Sequence, residues 1–140
     1  RYTIRGGEVY LLDERIPSLT DLHPGSEQFH IVTLLKAGTM AEFCAAAQAK
    51  SAAQTTLLDQ DDETDNLIYF SCTPWFDLTA CTNERDFDKD DNIPRICWGK
   101  YVAENDRETL GMALEVNHRF VDGYHLGQFY QKLQASIDAL

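Results

Sequence analysis

Asn117-His118-Arg119-Phe120-Val121-Asp122-Gly123 is the stretch around which the chain is organised. An imidazole, a carboxylate and a glycine turn here follow directly on a clear strand pattern. Thr109 to Val116 alternates apolar and polar residues, which predicts a strand, and Gly123 lets the chain turn before an amphipathic pattern begins near His125. His118 therefore stands at a strand end, where a sheet can hold a side chain that still projects into a cleft. An imidazole titrates near pH ~6.5 and is well matched to proton transfer at neutral pH, so His118 is a candidate general base. Taken alone, a histidine beside an aspartate is more often a satisfied structural pair than a catalytic one, and the rest of the chain has to decide.

With 140 residues, 44% of them apolar, the chain is long enough for a real core and has no composition shift, so residues 1–140 read as one domain. A formal net charge of −11 argues against a nucleic-acid or anionic-membrane partner. The acids gather at Asp59 to Asp65 and Glu84 to Asp91, leaving Arg95 and Lys100 as candidates for a local basic site that takes a phosphorylated cofactor. Cys44, Cys72, Cys81 and Cys97 form no Cys-x-x-Cys pair and no Cys/His spacing typical of zinc, so reduced thiols and no metal are expected. There is no apolar run of membrane-spanning length, and the residues from Arg1 to Gly6 do not resemble a signal peptide, so the expected location is cytoplasmic. The chain opens on Arg1 in mid-pattern, which reads as the start of a fragment.

Strands are expected at Glu8 to Leu12, after the Gly6-Gly7 turn, and at Phe29 to Leu35, with Pro17, Pro24 and Gly25 marking a loop between them. Thr39-Met40-Ala41-Glu42 is a capping box, and the alanine-rich run from Ala41 to about Gln54 is a predicted helix with Phe43, Cys44 and Ala47 on its packed face. Asp59 to Asp65 reads as a solvated acidic loop, Leu67 to Ser71 as a strand, Asn83 to Asn92 as a charged surface loop or edge hairpin and Arg95 to Tyr101 as a strand. Glu104 to Arg107 is a turn leading back into the strand that delivers His118. Leu126, Phe129, Tyr130, Leu133, Ile137 and Leu140 recur at helical spacing, predicting a terminal helix whose apolar stripe is core.

His118-x-x-x-Asp122-Gly123-Tyr124-His125 resembles the His-His-x-x-x-Asp-Gly-Phe-His signature of the chloramphenicol acetyltransferase family, with Asn117 in place of its first histidine. The resemblance implies that His118 takes the proton from an acceptor hydroxyl that attacks acetyl-CoA. Ser71-Cys72-Thr73-Pro74-Trp75 resembles the family's Ser-Ala-x-Pro-Trp, implying that Ser71 stabilises the oxyanion, while Trp75 is expected to pack. Gly99-Lys100-Tyr101 resembles the triplet near the CoA nucleotide, implying Lys100 for phosphate and Tyr101 for the adenine face. Cys97 falls where the family has a threonine that helps hold the transition state, and His23 and Phe29 match its acceptor-pocket segment, which makes Cys97 and Phe29 substrate-binding candidates. Asp122 joins His118 and Ser71 in the catalytic set as the residue that holds the loop. The resemblance further implies an α/β two-layer sandwich, a mixed sheet backed by helices, and a homotrimer with its site between subunits that acetylates a small hydroxyl compound. The family's amino-terminal third, with an arginine that pairs with the aspartate matching Asp122, has no counterpart here. Asn117 to Gly123 is also similar to the Asp-His-Arg-x-x-Asp-Gly of dihydrolipoyl acyltransferases, and a non-catalytic or incomplete relative is the third reading.

Overall fold

In the computed structural model, residues 1–35, 38–59, 61, 63–84 and 88–140 are described. Parts of the two expected acidic loops, at 60, 62 and 85–87, lie outside the described residues. Gly6 and Gly7, at φ +60° and +84°, close a hairpin between β1 (Tyr2–Arg5) and β2 (Glu8–Leu11). The main sheet contains β3 (Ile16–Leu22), β4 (Phe29–Thr33), β5 (Leu67–Thr73), β6 (Arg95–Glu104) and β7 (Arg107–Glu115) in the order β4-β3-β5-β6-β7. The β3–β5 and β5–β6 pairs are parallel and the outer pairs antiparallel, so the sheet is mixed. Asn105 and Asp106, at φ 53° and 59°, make the expected turn between β6 and β7, since both residue types tolerate the left-handed region.

The expected loop around Pro17 is instead β3. Proline is accommodated at the end of the β3–β4 ladder, where its carbonyl still accepts the Leu34 N–H (2.9 Å) and its missing N–H removes only the terminal bond. Below the sheet, Arg15 secures the hairpin by donating to the backbone carbonyls of Tyr2, Asp65 and Leu67 and to the Asn92 side chain. Thr3, fully buried, donates to Asp65, which also pairs with Arg5 at 2.7 Å. Leu67, Val32, Ile96 and Leu34 form the buried apolar centre of the sheet.

The capping box forms as expected: Thr39 accepts the Glu42 N–H and Glu42 accepts the Thr39 N–H, opening α1 (Met40–Ala53). Its packed face runs through Phe43, Ala47 and Ser51, at i, i+4 and i+8. Cys44, one residue off that line, is exposed, which corrects its expected place in the seam. The seam is polar as well as apolar, since buried Ser51 bonds the His30 ring (2.9 Å) and Asp21. The terminal helix α2 (Gly123–Ile137) forms, but its stripe is not core. Leu126, Phe129 and Leu133 are half-buried, whereas Ile137 and Leu140 are exposed. The helix rests on β7, where the Tyr130 hydroxyl donates to the Met112 carbonyl (3.3 Å), and β7 is the last strand of the sheet, too narrow a surface to cover the whole stripe.

Candidate functional site

Ser71 lies on β5 between β3 and β6, opposite Cys97 in the β6 register. The Thr20 hydroxyl, from β3, is hydrogen-bonded to Ser71 Oγ at 3.2 Å. Both line a cavity of about 250 Å³ with Ser18, Ile31, Tyr69 and Arg95. Arg95 is committed elsewhere: it pairs with Asp91 at 3.0 Å, donates to the Ile93 carbonyl and lies over the Tyr69 ring, so it is not the basic cofactor site considered from the sequence. Burial, reinforced by the hydrogen bond to Glu63, pushes the Tyr69 phenol up to about 12, and it stays a neutral donor.

Residues 74–84 cross over β6 and β7 on the way from β5. The crossing is close because two glycines face it: a Cβ on Gly99 would lie 2.6 Å from Leu78 N, and one on Gly111 would lie 1.8 Å from Leu78 O. The ladder is irregular between Trp98 and Tyr101, and there the Lys100 N–H leaves it to bond the Phe76 carbonyl at 2.9 Å. Further on, Asn83 donates twice to Glu115 Oε2, at 2.7 and 2.6 Å, and reaches the wall of the Ser71 cavity. Cys97 is 2% exposed beneath this crossing, and burial together with neighbouring Cys81 pushes its thiol up to about 11. It is a neutral thiol at pH 7 and a weak hydrogen-bond partner.

Lys100 and Tyr101 line a cleft of about 700 Å³ that also holds Trp75, Phe76 and Trp98. Trp75 is 70% exposed and does not pack within the chain, contrary to expectation. A cationic amine and exposed aromatic faces can receive a phosphorylated nucleotide. Phe29 lies at the other side of the sheet, bordering a cleft with His23, His30 and Leu57 in which the two imidazoles stack at 4.0 Å.

His118 is exposed on the loop after β7 and lines a cavity of about 280 Å³ with Leu114, Val116, Val121, Asp122 and Leu126. The loop is held on both sides. Asn117 donates to the carbonyls of Lys89 (3.0 Å) and Asp91 (2.9 Å), and Arg119 pairs with Asp90 at 2.7 Å. Asp122 is the N-cap of α2, accepting the His125 N–H at 3.1 Å and the His125 ring N–H at 2.7 Å, and these bonds, the backbone one foremost, hold its carboxyl below the usual range. Ser71 and His118 line different cavities, one in mid-sheet and one at the sheet's open edge. Sequence reasoning missed Thr20 and the anchoring role of Asn117. The alternation of β3 could have revealed the first, but Pro17 masked it. Among the described residues, no group of three or more His, Cys, Asp or Glu could hold a metal ion, and no helix is long and apolar enough to cross a membrane.

The fold is shared with solved acyltransferases. The chain superposes on a chloramphenicol acetyltransferase with a TM-score of 0.82 at 23% identity, covering 96% of this chain and 67% of that one. It also superposes on the dihydrolipoamide acetyltransferase of Azotobacter vinelandii with a TM-score of 0.65 at 14% identity, covering 94% and 58%. The fold is therefore the α/β two-layer sandwich of these enzymes, a mixed sheet backed by helices. The family model described as chloramphenicol acetyltransferase matches residues 1–134, and the chain belongs to that family. Chloramphenicol acetyltransferase 2 of Escherichia coli is 27% identical over 146 residues, covering 99% of this chain and 66% of that relative. The chain thus spans about two thirds of the length of the curated relatives it matches.

Proposed function

We propose that the chain is a CoA-dependent O-acetyltransferase acting on a small hydroxyl compound. Family membership supports the reaction class, and the observation that carries the assignment is Ser71 on a cavity wall with its hydroxyl hydrogen-bonded to that of Thr20. In this reading His118 removes the proton of the acceptor hydroxyl as its oxygen attacks the thioester carbonyl of acetyl-CoA. The carbonyl π pair moves to oxygen, and Ser71 donates to the oxyanion. Collapse re-forms the carbonyl and breaks the carbon–sulfur bond. The CoA thiolate then takes the proton that His118 holds, leaving an acetyl ester and free CoA. One oxyanion donor of this kind contributes about 3 kcal/mol to the transition state.

Lys100 and Tyr101 would receive the phosphates and adenine of CoA in the cleft they share with Trp75, and Phe29 and Cys97 would border the acceptor. Asp122 would act through the helix start, fixing the loop that carries His118. The separation of His118 and Ser71 into different cavities, with His118 beside the open-edge strand β7, favours a homotrimer in which one subunit's histidine meets its neighbour's serine. Chloramphenicol is the natural first acceptor to try because the relatives' names carry it. A dihydrolipoyl acceptor is the second reading, favoured by the shared fold.

The test is thiol release from acetyl-CoA with chloramphenicol, dihydrolipoamide and a panel of simple alcohols, on the wild-type chain and His118→Ala. Turnover with one acceptor, lost in the variant, is expected. Full activity in His118→Ala would sink the mechanism.

A further inference from the structure

Resting on that reading, the contact between Thr20 and Ser71 carries one step more. A serine hydroxyl has a single proton and rotates freely, so it serves an oxyanion only if that proton is not spent on a neighbouring protein acceptor. Ser71 sits mid-strand on β5, and the neighbouring side chain across the parallel ladder, one residue beyond the Leu19–Phe70 pair, is Thr20. Two hydroxyls at 3.2 Å can share one hydrogen bond in either direction. With Ser71 as donor, the proton would be lost to catalysis in the resting state. With Thr20 as donor, it remains available to the cavity, and the incoming bond polarises it.

The surroundings favour the second direction. The next hydroxyl pair along β3 is already closed on itself, with Thr33 Oγ1 donating to Ser18 Oγ at 3.0 Å, and Ser18 is 1% exposed. Opposite Ser71, on β6, stands Cys97, whose neutral thiol competes weakly for a hydroxyl proton. Thr20 is β-branched and confined to few χ1 rotamers in a strand, so its hydroxyl is held toward Ser71 at small entropic cost.

We propose that Thr20 is a positioning residue for acyl transfer: its hydroxyl donates to Ser71 Oγ and so reserves the Ser71 proton for the oxyanion. Thr20 acts in this role through Ser71. Its effect falls on the chemical step, not on binding, so its removal lowers kcat and leaves KM for acetyl-CoA unchanged.

The experiment is a double-mutant cycle on the full chain, following thiol release from acetyl-CoA with chloramphenicol and, in parallel, with water as acceptor, since hydrolysis passes through the same oxyanion. Thr20→Val keeps the shape and removes the donor; about tenfold lower kcat is expected, out of the 10²–10³-fold that a whole oxyanion donor supplies. Thr20→Ser should restore the rate. In a Ser71→Ala background, Thr20→Val should have no further effect, a silence that a merely structural role would not produce. Melting temperatures of all variants separate misfolding from a lost proton donor. A Thr20→Val enzyme with unchanged or raised kcat would mean that Ser71 is the donor, and a loss that adds fully to that of Ser71→Ala would mean that Thr20 acts elsewhere; either overturns the proposal while leaving the oxyanion role intact. If Ser71→Ala itself has the wild-type rate, or wild type turns over neither acceptor, the reading of Ser71 falls and the role of Thr20 falls with it.

Discussion

The contact between Leu78 and Gly111 makes the structure testable without any substrate. In Gly111→Ala the new Cβ would stand 1.8 Å from the Leu78 carbonyl oxygen and 2.9 Å from its carbon, whereas real Cβ contacts stay beyond 3.0 Å. The obstacle is backbone, so no rotamer change relieves it, and the crossing segment must retreat by roughly 1 Å. It cannot slide sideways, because Leu78 also sits on Gly99 and the Phe76 carbonyl is bonded to the Lys100 N–H. Overpacking of this kind costs about 1–3 kcal/mol, and a backbone clash belongs at the upper end. At about 2.1 cal/mol/K of unfolding entropy per residue, a loss of about 3 kcal/mol lowers the melting temperature by about 10 °C. Gly127→Ala is the control: it lies in α2 with nothing within 4 Å of a new Cβ, and removing a mid-helix glycine should stabilise by about 0.5–1 kcal/mol. Thermal unfolding followed by circular dichroism should move the two variants in opposite directions. Because the displaced segment carries Asn83 to the Ser71 cavity, Gly111→Ala should also slow thiol release. A Gly111→Ala melt within about 1 °C of wild type would refute the crossing, since a clash costing even ~1 kcal/mol moves the midpoint by several degrees.

Asp65 gives a pH prediction with a definite sign. Hydrogen bonds from Arg5 and then Thr3, together with nearby positive charge, hold its carboxyl at about 2 in the folded chain. A depressed folded value adds stability that is full above the ordinary carboxylate range and is lost as pH falls from about 4 toward 2. The pair is part-exposed and screened by water, so the contribution is about 1 kcal/mol or less. Asp65→Asn should therefore flatten acid unfolding in that window and leave its slope at higher pH unchanged. Thiol alkylation gives a separate check: Cys44 is exposed, whereas Cys97 is buried with its thiol raised to about 11, so mass spectrometry after brief iodoacetamide treatment at neutral pH should find Cys44 modified well before Cys97.

What was legible in the sequence was local. Thr39 and Glu42 announce α1 because a capping box is satisfied within four residues, and Thr109 to Val116 announces β7 because a half-buried strand repeats every second residue. Pro17 defeated the same reasoning, since its tolerance in β3 depends on where the β4 ladder stops, which is a property of the partner strand. The terminal stripe from Leu126 to Leu140 was legible as a helix but not as half-buried, because periodicity reports which face is apolar and not how much surface will meet it. In the candidate site, His118, Ser71 and the Lys100-Tyr101 pair could be selected by motif. Thr20 stands in no motif: the alternation of β3 would place its side chain, but its significance lies in a cross-strand contact 51 residues away.

The division of His118 and Ser71 between cavities has a consequence that distinguishes a shared site from a self-contained one. If one subunit's histidine serves its neighbour's serine around a closed ring, His118→Ala chains keep a sound serine side and Ser71→Ala chains a sound histidine side. Refolded together in equal amounts, they form mixed trimers in which an intact site needs a Ser71→Ala chain on the histidine side of an interface and a His118→Ala chain on the serine side. Random assembly meets that condition at about one interface in four, so the mixture should recover about a quarter of wild-type turnover. Each variant refolded alone should show almost none. A site complete within one chain gives no recovery at any mixing ratio, because every chain in the mixture lacks one of the two groups. Native mass spectrometry of the same samples verifies that subunits have exchanged, so silence in a mixed trimer would exclude the intersubunit site.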